Sequence, residues 1–332
     1  MAQMKYFYEL TISSSPHVHA PVTTQTIMRD VLLALVPAML GAVSYFGFRA
    51  LTVTLVSVVA CLFWEWGYCK LMKLDCQISD LSAAVTGVLL AFVCPVTIPY
   101  WTIVIGAFFA IIVVKMLFGG LGKNIVNPAL AGRAFMFSWP VLMSTWVKVG
   151  FENSAGILST ADAVTTATPL AALHQFQLPR TPISASFWGN VGGCLGETSV
   201  VLLLAGFAYL LLRKVITPRI PLSFIGTVAV LTFLFPMGNA RIDWMLYQVF
   251  SGGLMLGAIF MATDYVTSPL TKLGQIVYGI GCGLLTVLIR YFGGYPEGVS
   301  YAILCMNCCV VLLDRIGRPI KFGAPRKEAA KQ

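Results

Sequence analysis

Val31-Leu32-Leu33-Ala34-Leu35-Val36-Pro37-Ala38-Met39-Leu40-Gly41-Ala42-Val43-Ser44-Tyr45-Phe46-Gly47-Phe48 runs without one charged side chain. About 20 apolar residues in a helix match the hydrocarbon thickness of a bilayer, so this stretch reads as a membrane span. Further along, apolar runs of near-spanning length recur at 51 to 69, 81 to 99, 100 to 118, 128 to 146, 198 to 212, 220 to 235, 244 to 263, 273 to 292 and 299 to 313. The third ends in Cys94-Pro95-Val96-Thr97-Ile98-Pro99 and the eighth in Asp264-Tyr265-Val266-Thr267-Ser268-Pro269. Proline removes a backbone donor, so both spans are expected to be broken at these points. Composition agrees: 58% of the 332 residues are hydrophobic and only 11% charged, against roughly 25% charged in soluble domains. The expectation is an all-α integral membrane protein of about ten transmembrane helices.

An internal repeat refines this. Thr86-Gly87-Val88-Leu89-Leu90, Val96-Thr97-Ile98-Pro99 and Phe118-Gly119-Gly120 recur in order as Gly252-Gly253-Leu254-Met255-Leu256, Val266-Thr267-Ser268-Pro269 and Phe292-Gly293-Gly294. Five spans separate the copies, so the second half is inserted upside down, the plan of bundles that bind something near the midplane. The division is then a cytoplasmic N-terminal segment (1–30), a first five-helix repeat (31–146), an external loop (147–196), a second five-helix repeat (197–314) and a basic tail (315–332). Residues 1–27 lack the charged and apolar regions of a signal peptide, so the first span is expected to stay in the mature protein.

Orientation follows from the basic residues. With the N-terminus inside, 17 of the 22 Lys and Arg fall on the inner side, leaving Arg49, Lys148, Arg180, Arg241 and Arg290 outside. The positive-inside rule therefore puts both termini in the cytoplasm, with Trp101, Trp146 and Trp244 in an outer aromatic belt. The net charge of +9 is read as this topology signal, because no basic helix with interleaved aromatics offers a surface for nucleic acid.

Several patterns resemble chemistry they do not complete. Nine cysteines lie mainly in apolar runs and read as small buried hydrophobes, including Cys305-Met306-Asn307-Cys308-Cys309, where one helix supplies too few ligands for a metal. His17, His19 and His174 are too scattered for a metal or haem site. Gly119-Gly120-Leu121-Gly122-Lys123-Asn124 lacks the first glycine and the terminal Ser or Thr of a phosphate loop, and reads as a re-entrant turn before Asn127-Pro128. No GxGxxG turn follows a strand, so no nicotinamide site is expected on this chain. Intramembrane charges are costly and face a partner or a wet cavity. Glu65 in the second span and Arg133 in the fifth are such charges, read either as an ion path or cofactor contact or as a structural link between helices; Lys115 and Asp264 join them as ion-path candidates.

The external loop contains Ser159-Thr160-Ala161-Asp162-Ala163-Val164-Thr165-Thr166-Ala167-Thr168-Pro169-Leu170. By composition this is a Thr- and Ala-rich surface connection with Asp162 as a helix cap. It also resembles the flavinylation motif Asp-x-x-(Ser/Thr)-Gly-Ala-Thr, with Thr166 standing where glycine is usual. Taken with Ser15-Pro16-His17, Gly119 through Ala129, Met261-Ala262-Thr263-Asp264 through Pro269, and Gly293-Gly294-Tyr295-Pro296-Glu297-Gly298 through Leu304, the chain resembles, over nearly its whole length, a family of membrane subunits. That family comprises the D subunits of Rnf ion-translocating ferredoxin:NAD oxidoreductases and, as close relatives, the B subunits of sodium-translocating NADH:quinone reductases.

The resemblance implies FMN held as a phosphoester on Thr168, with Asp162, Thr165 and Ala167 recognised by a separate flavin transferase. It also implies a second, non-covalent flavin (riboflavin) as in the quinone-reductase relative, and partnership with the other membrane and peripheral subunits of such a complex. The chain would relay electrons coupled to Na+ or H+ movement, with NAD chemistry elsewhere. A flavin does the electron transfer itself while the protein holds and tunes it. The competing reading, a solute channel or secondary transporter with inverted repeats and no flavin, fits the helices alone equally well; a structural scaffold is the third.

Overall fold

A computed structural model of the chain describes residues 22–74, 78–147, 149, 167–197, 199–238, 240–294 and 297–317. Asp162, Thr165, His17, His19 and most of the basic tail lie outside the described residues. The elements are α1 (Thr24–Phe46), α2 (Phe48–Met72), a 3-10 turn (Ile78–Asp80), α3 (Ser82–Phe92), α4 (Tyr100–Phe108) continued by a π-helix (Phe109–Met116), α5 (Pro128–Met136), α6 (Pro140–Met143), α7 (Pro169–His174), α8 (Ile183–Trp188), α9 (Val200–Leu212), α10 (Arg219–Leu234), α11 (Arg241–Phe250), α12 (Leu254–Leu256) continued by a π-helix (Gly257–Met261), α13 (Lys272–Phe292) and α14 (Val299–Leu313). Among the described residues there is no strand.

The chain is a membrane protein. α1, α2 and α13 are each long and apolar enough to cross a bilayer, and α11 with α12 and its π-helix forms a further candidate span bent by 60°. Along α2, Leu51, Leu55, Val59, Phe63 and Trp66 are all exposed. An apolar stripe at helical spacing on the outside of a bundle is the face that meets lipid.

Helix ends have local causes. Thr23 caps α1 by accepting from the Thr26 N–H, so α1 begins inside the stretch assigned to the N-terminal segment. Its polar first turns are compatible with burial because Asp30 accepts from Tyr209 and from Arg213, all at 3.2 Å. The third span stops at Phe92, well before residue 99, since Pro95 cannot donate and disfavours helix at Cys94. The fifth stops at Met136 for the same reason: Pro140 holds Trp139 out of the helical region. The eighth is broken at Ser251–Gly253, and the break is made by glycine rather than by Pro269: Gly252 takes φ +69°, open to glycine at little cost.

Between helices in lipid there is little hydrophobic gain, so close packing and polar links hold the bundle. Glycines supply the packing where α13 crosses α10: a Cβ on Gly279 would stand 2.9 Å from the Ile220 carbonyl oxygen, and one on Gly283 3.0 Å from that of Phe224. A polar link joins α5 to the second half. The Asn127 side chain caps α5 through the Ala129 and Leu130 N–H groups and donates to the Met261 carbonyl at 3.2 Å; with the Asn307 amide turned so that its nitrogen faces the Ile303 and Thr267 carbonyls, the Asn127 backbone N–H donates to its oxygen at 3.1 Å.

Two expectations need correcting. Trp244 belongs to no interfacial belt: it is fully buried and donates to the Tyr291 hydroxyl at 2.9 Å. Cys305, Cys308 and Cys309 are exposed on α14 rather than buried, which an apolar thiol tolerates on a lipid-facing surface.

Candidate functional site

Thr168 is the N-cap of α7. Its hydroxyl accepts from the Ala171 N–H at 3.2 Å, and Pro169 at the first helical position starts the turn. The short helix is tied down at its other end, where the His174 Nε2 and the Gly293 carbonyl oxygen lie 2.9 Å apart. Thr168 is 9% exposed and lines a small cleft walled also by Gly192, Gly193, Glu197, Ser251, Gly252 and Glu297. Ala167, beside it, is exposed.

Under this cleft lies a buried group of charges. Arg133 of α5 donates to Glu297, to Ser300 Oγ at 2.7 Å and to Cys194 Sγ at 3.7 Å, and its Nη1 lies 3.7 Å from Glu197 Oε1. A buried arginine unpaired would cost several kcal/mol (about 3–5); here two carboxylates and a hydroxyl face its two terminal nitrogens, while its Nε has no partner among the described residues. Arg290 of α13 donates to the Gln248 carbonyl at 2.5 Å, to its Oε1 at 2.9 Å and to the Ser251 carbonyl at 3.2 Å. These carbonyls end α11 at the glycine break, where the helix dipole is negative. Arg49 does the same after α3, donating to the Val96 and Ile98 carbonyls at 2.8 and 3.2 Å. Arg49 and Arg290, which the charge count treats as external topology residues, are thus buried caps for broken spans.

Cys194, Glu197 and Glu297 bring their ligand atoms within 4.8 Å of one another. The set has the chemistry to hold a metal, yet the Arg133 guanidinium stands among them in the cation's place.

A second, larger cleft of about 790 Å³, open mouth included, is walled by Ser82, Lys115, Asn124, Asn127, Phe260 and Asp264 among others. Helix α9 leads from one cleft to the other: it starts beside Glu197, and Leu210 near its far end lines the second cleft, about 15 Å away at 1.5 Å per residue. Lys115, in the π-helical stretch, donates to both Glu65 oxygens at 2.9 Å and to Ser82 Oγ at 2.6 Å. Ser82 donates in turn to Asp80 at 2.7 Å. Asp264 accepts from Thr267 at 3.1 Å. The Gly119 to Asn124 segment is a turn with Gly119, Gly120 and Gly122 all at positive φ.

The four charges named as ion-path candidates are therefore divided. Glu65, Lys115 and Asp264 gather at the second cleft and Arg133 at the first. Glu197, Glu297, Ser251 and Arg290 stand at or beside the first cleft and are not singled out as site residues by the sequence reading.

A family described as "NQR2, RnfD, RnfE family" matches residues 11–323. The chain is 44% identical over 327 residues to the D subunit of the Na(+)-translocating ferredoxin:NAD(+) oxidoreductase complex of Acetobacterium woodii, covering 97% of this chain and 98% of the relative. It is 44% identical over 328 residues to the D subunit of the proton-translocating ferredoxin:NAD(+) oxidoreductase complex of Clostridium ljungdahlii, covering 95% and 97%. It is 34% identical over 353 aligned positions to the D subunit of the ion-translocating oxidoreductase complex of Aliivibrio salmonicida, covering 94% and 98%. With every described element inside the matched region, the chain belongs to the NQR2, RnfD, RnfE family.

Proposed function

We propose that this chain is a membrane electron-carrier subunit of an ion-translocating ferredoxin:NAD oxidoreductase, with FMN ester-linked through its phosphate to Thr168. The observation that carries the reading is the setting of Thr168. Its hydroxyl stands at the rim of a cleft, on a helix start fixed by Pro169 and His174, and Ala167 beside it is exposed to a modifying enzyme. Gly192 and Gly193 lie on the cleft wall with Thr168, where the lack of side chains lets a tethered group approach the backbone. FMN, when bound, supplies one- and two-electron transfer. The chain's own residues fix the anchoring oxygen, hold the charges beneath the cleft and close it from the bundle interior. Asp162, Thr165 and Ala167 serve recognition by a flavin transferase.

The second cleft, mostly apolar with Asn124, Asn127 and Asp264 on its wall, has the mixed lining proposed here to receive a second, non-covalent flavin such as riboflavin. Glu65, Lys115 and Asp264 beside it, with Arg133 across the bundle, are proposed to serve ion passage. The two relatives at 44% identity are named for different ions, one Na+ and one H+, so the coupling ion is left as either.

The two halves are proposed to be inverted repeats, and the packing pattern supports this. α2 packs on α3 and α4, as α10 packs on α11 and α13; α4 packs on α5, as α13 packs on α14. Between halves, α1 meets α9 and α5 meets α14, each span against its own counterpart, as a two-fold relation requires. We place the chain in the cytoplasmic membrane with both termini inside and the Thr168 cleft external, in contact with lipid and with the other subunits of the complex.

The test is in-gel flavin fluorescence after denaturing electrophoresis of the membrane-expressed chain made together with its transferase. The wild-type band should fluoresce and Thr168→Val should be dark. A dark wild-type band with demonstrably active transferase would move the reading to a flavin-free channel or carrier.

A further inference from the structure

Helices α10 and α13 run parallel, since the Ile220 carbonyl faces Gly279 and the Phe224 carbonyl faces Gly283. Their N-termini therefore lie at the same end of the bundle, where Arg219 Nη1 donates to Gln275 Oε1 at 3.1 Å. A helix start carries positive partial charge and is stabilised by acids. Neither first turn has one; α10 opens with Arg219 and α13 with Lys272. Among the described residues neither cation belongs to an ion pair, and no side chain caps α10. Two cations on two positive helix ends, with only a neutral amide between them, call for an anion from outside the chain.

Below this end the two helices leave a shallow open groove that runs along α10 from Leu222 to Leu231, with Ile280 of α13 on its other side. Leu222, Val230 and Ile280 are exposed there. Ser223 and Thr227 offer the groove no free donor, because each hydroxyl donates at 2.7 Å to a carbonyl one turn back. Gly226 leaves room: a Cβ on it would meet nothing within 4 Å. From Leu222 to Leu231 the helix rises about 14 Å, close to half of the roughly 30 Å hydrocarbon core and so to the depth of one leaflet. Both cations head this groove. Arg219 stands one turn before Ser223, and Lys272 two turns before Gly279, on the face of α13 that meets α10.

We infer that this groove holds one anionic phospholipid, with its phosphate beside Arg219 and Lys272 at the paired helix starts and an acyl chain along α10 as far as Leu231. Charge selects this occupant. An apolar helix of another subunit would fill the groove and leave both cations unmatched, and a free anion would match the cations and leave the groove to other lipid. Basic pockets between helices at a membrane surface recognise anionic headgroups in this way. The inference does not depend on where a flavin is attached.

The experiment uses the full chain, purified in detergent and delipidated, as wild type, Lys272→Gln and Gly226→Leu. Each is titrated with phosphatidylglycerol, with phosphatidylcholine of the same acyl chains and with inorganic phosphate, and native mass spectrometry gives the apparent Kd of the first molecule bound. Wild type should bind phosphatidylglycerol more tightly than phosphatidylcholine. Lys272 is exposed, so Lys272→Gln should fold; it should weaken phosphatidylglycerol about 5-fold, the worth of one cation near the surface, and leave phosphatidylcholine unchanged. Gly226→Leu places a better helix former where there is space, so its lipid-free melting temperature should not fall, while binding of the first phosphatidylglycerol should be lost. Equal wild-type affinity for the two lipids, or phosphatidylglycerol affinity unchanged in both variants, would overturn the inference. Inorganic phosphate bound as tightly as phosphatidylglycerol would also overturn it, leaving an anion pocket at the helix starts with no lipid.

Discussion

The Lys115 ammonium sits 2.9 Å from each carboxylate oxygen of Glu65 and 2.6 Å from Ser82 Oγ, so all three of its protons have acceptors. The pair joins the second span to the fourth with side chains only 3% and 6% exposed. Breaking one side of such a pair leaves a buried charge, at a cost of about 3–5 kcal/mol. Glu65→Gln should therefore lower thermal stability in detergent sharply, while the double substitution Glu65→Leu with Lys115→Met should recover much of it. Equal losses for single and double variants would show that the pair is not the closed unit described.

The same residues are proposed for ion passage, which makes a different prediction. Asp264→Asn removes a charge that accepts a side-chain hydrogen bond from Thr267, so stability should change by less than about 1 kcal/mol, the scale of one hydrogen bond. Ion uptake driven by electron flow in proteoliposomes containing the whole complex should fall nonetheless. Unchanged uptake in both Asp264→Asn and a stable Glu65 variant would remove this cleft from the ion route.

Asn127 holds three positions at once: the start of α5, the Met261 carbonyl and the Asn307 amide. Asn127→Ala loses a helix cap worth about 0.5–2 kcal/mol and leaves the Met261 carbonyl without that donor. The expected result is a fall in melting temperature with the covalent flavin still attached, because Thr168 lies at the other cleft. Loss of in-gel fluorescence in this variant would contradict the separation of the two clefts.

Orientation is tested from outside the cell. Ala167 is exposed next to Thr168, so Ala167→Cys in intact cells or spheroplasts should react with a membrane-impermeant maleimide, and a cysteine placed after Gln332 should react only once the membrane is broken. The reverse pattern would invert the proposed topology.

Span positions were legible because hydrophobicity and length are local properties. The tenth helix occupies Val299–Leu313 and the ninth Lys272–Phe292, as the apolar runs indicate. Breaks were less legible. Proline marks where a helix cannot continue, so Phe92 and Met136 end earlier than the apolar runs do, whereas the Ser251–Gly253 break depends on Glu197 and Arg290 packing against it. Trp244 shows the limit of the belt rule: an indole near a span end sits at the interface or in the core according to whether Tyr291 is there to receive its N–H. The charges under Thr168 had a usable signal. Arg133 inside a span demands an acid, and only 13 Asp and Glu exist in the chain; those beside span ends on the proposed outer side include Glu197, Asp243 and Glu297, and Arg133 meets the first and the last. Contacts over such separations in sequence are tertiary, and no local pattern encodes them.

Attachment of the flavin is read without intermediaries by peptide mass spectrometry of the chain purified after co-expression with its transferase. The fragment that includes Thr165, Thr166 and Thr168 should carry the mass of FMN less one water, with fragmentation assigning the phosphoester to Thr168. An unmodified fragment, or a phosphoester on Thr165 or Thr166 with Thr168 free, would show that Thr168 is not the anchor.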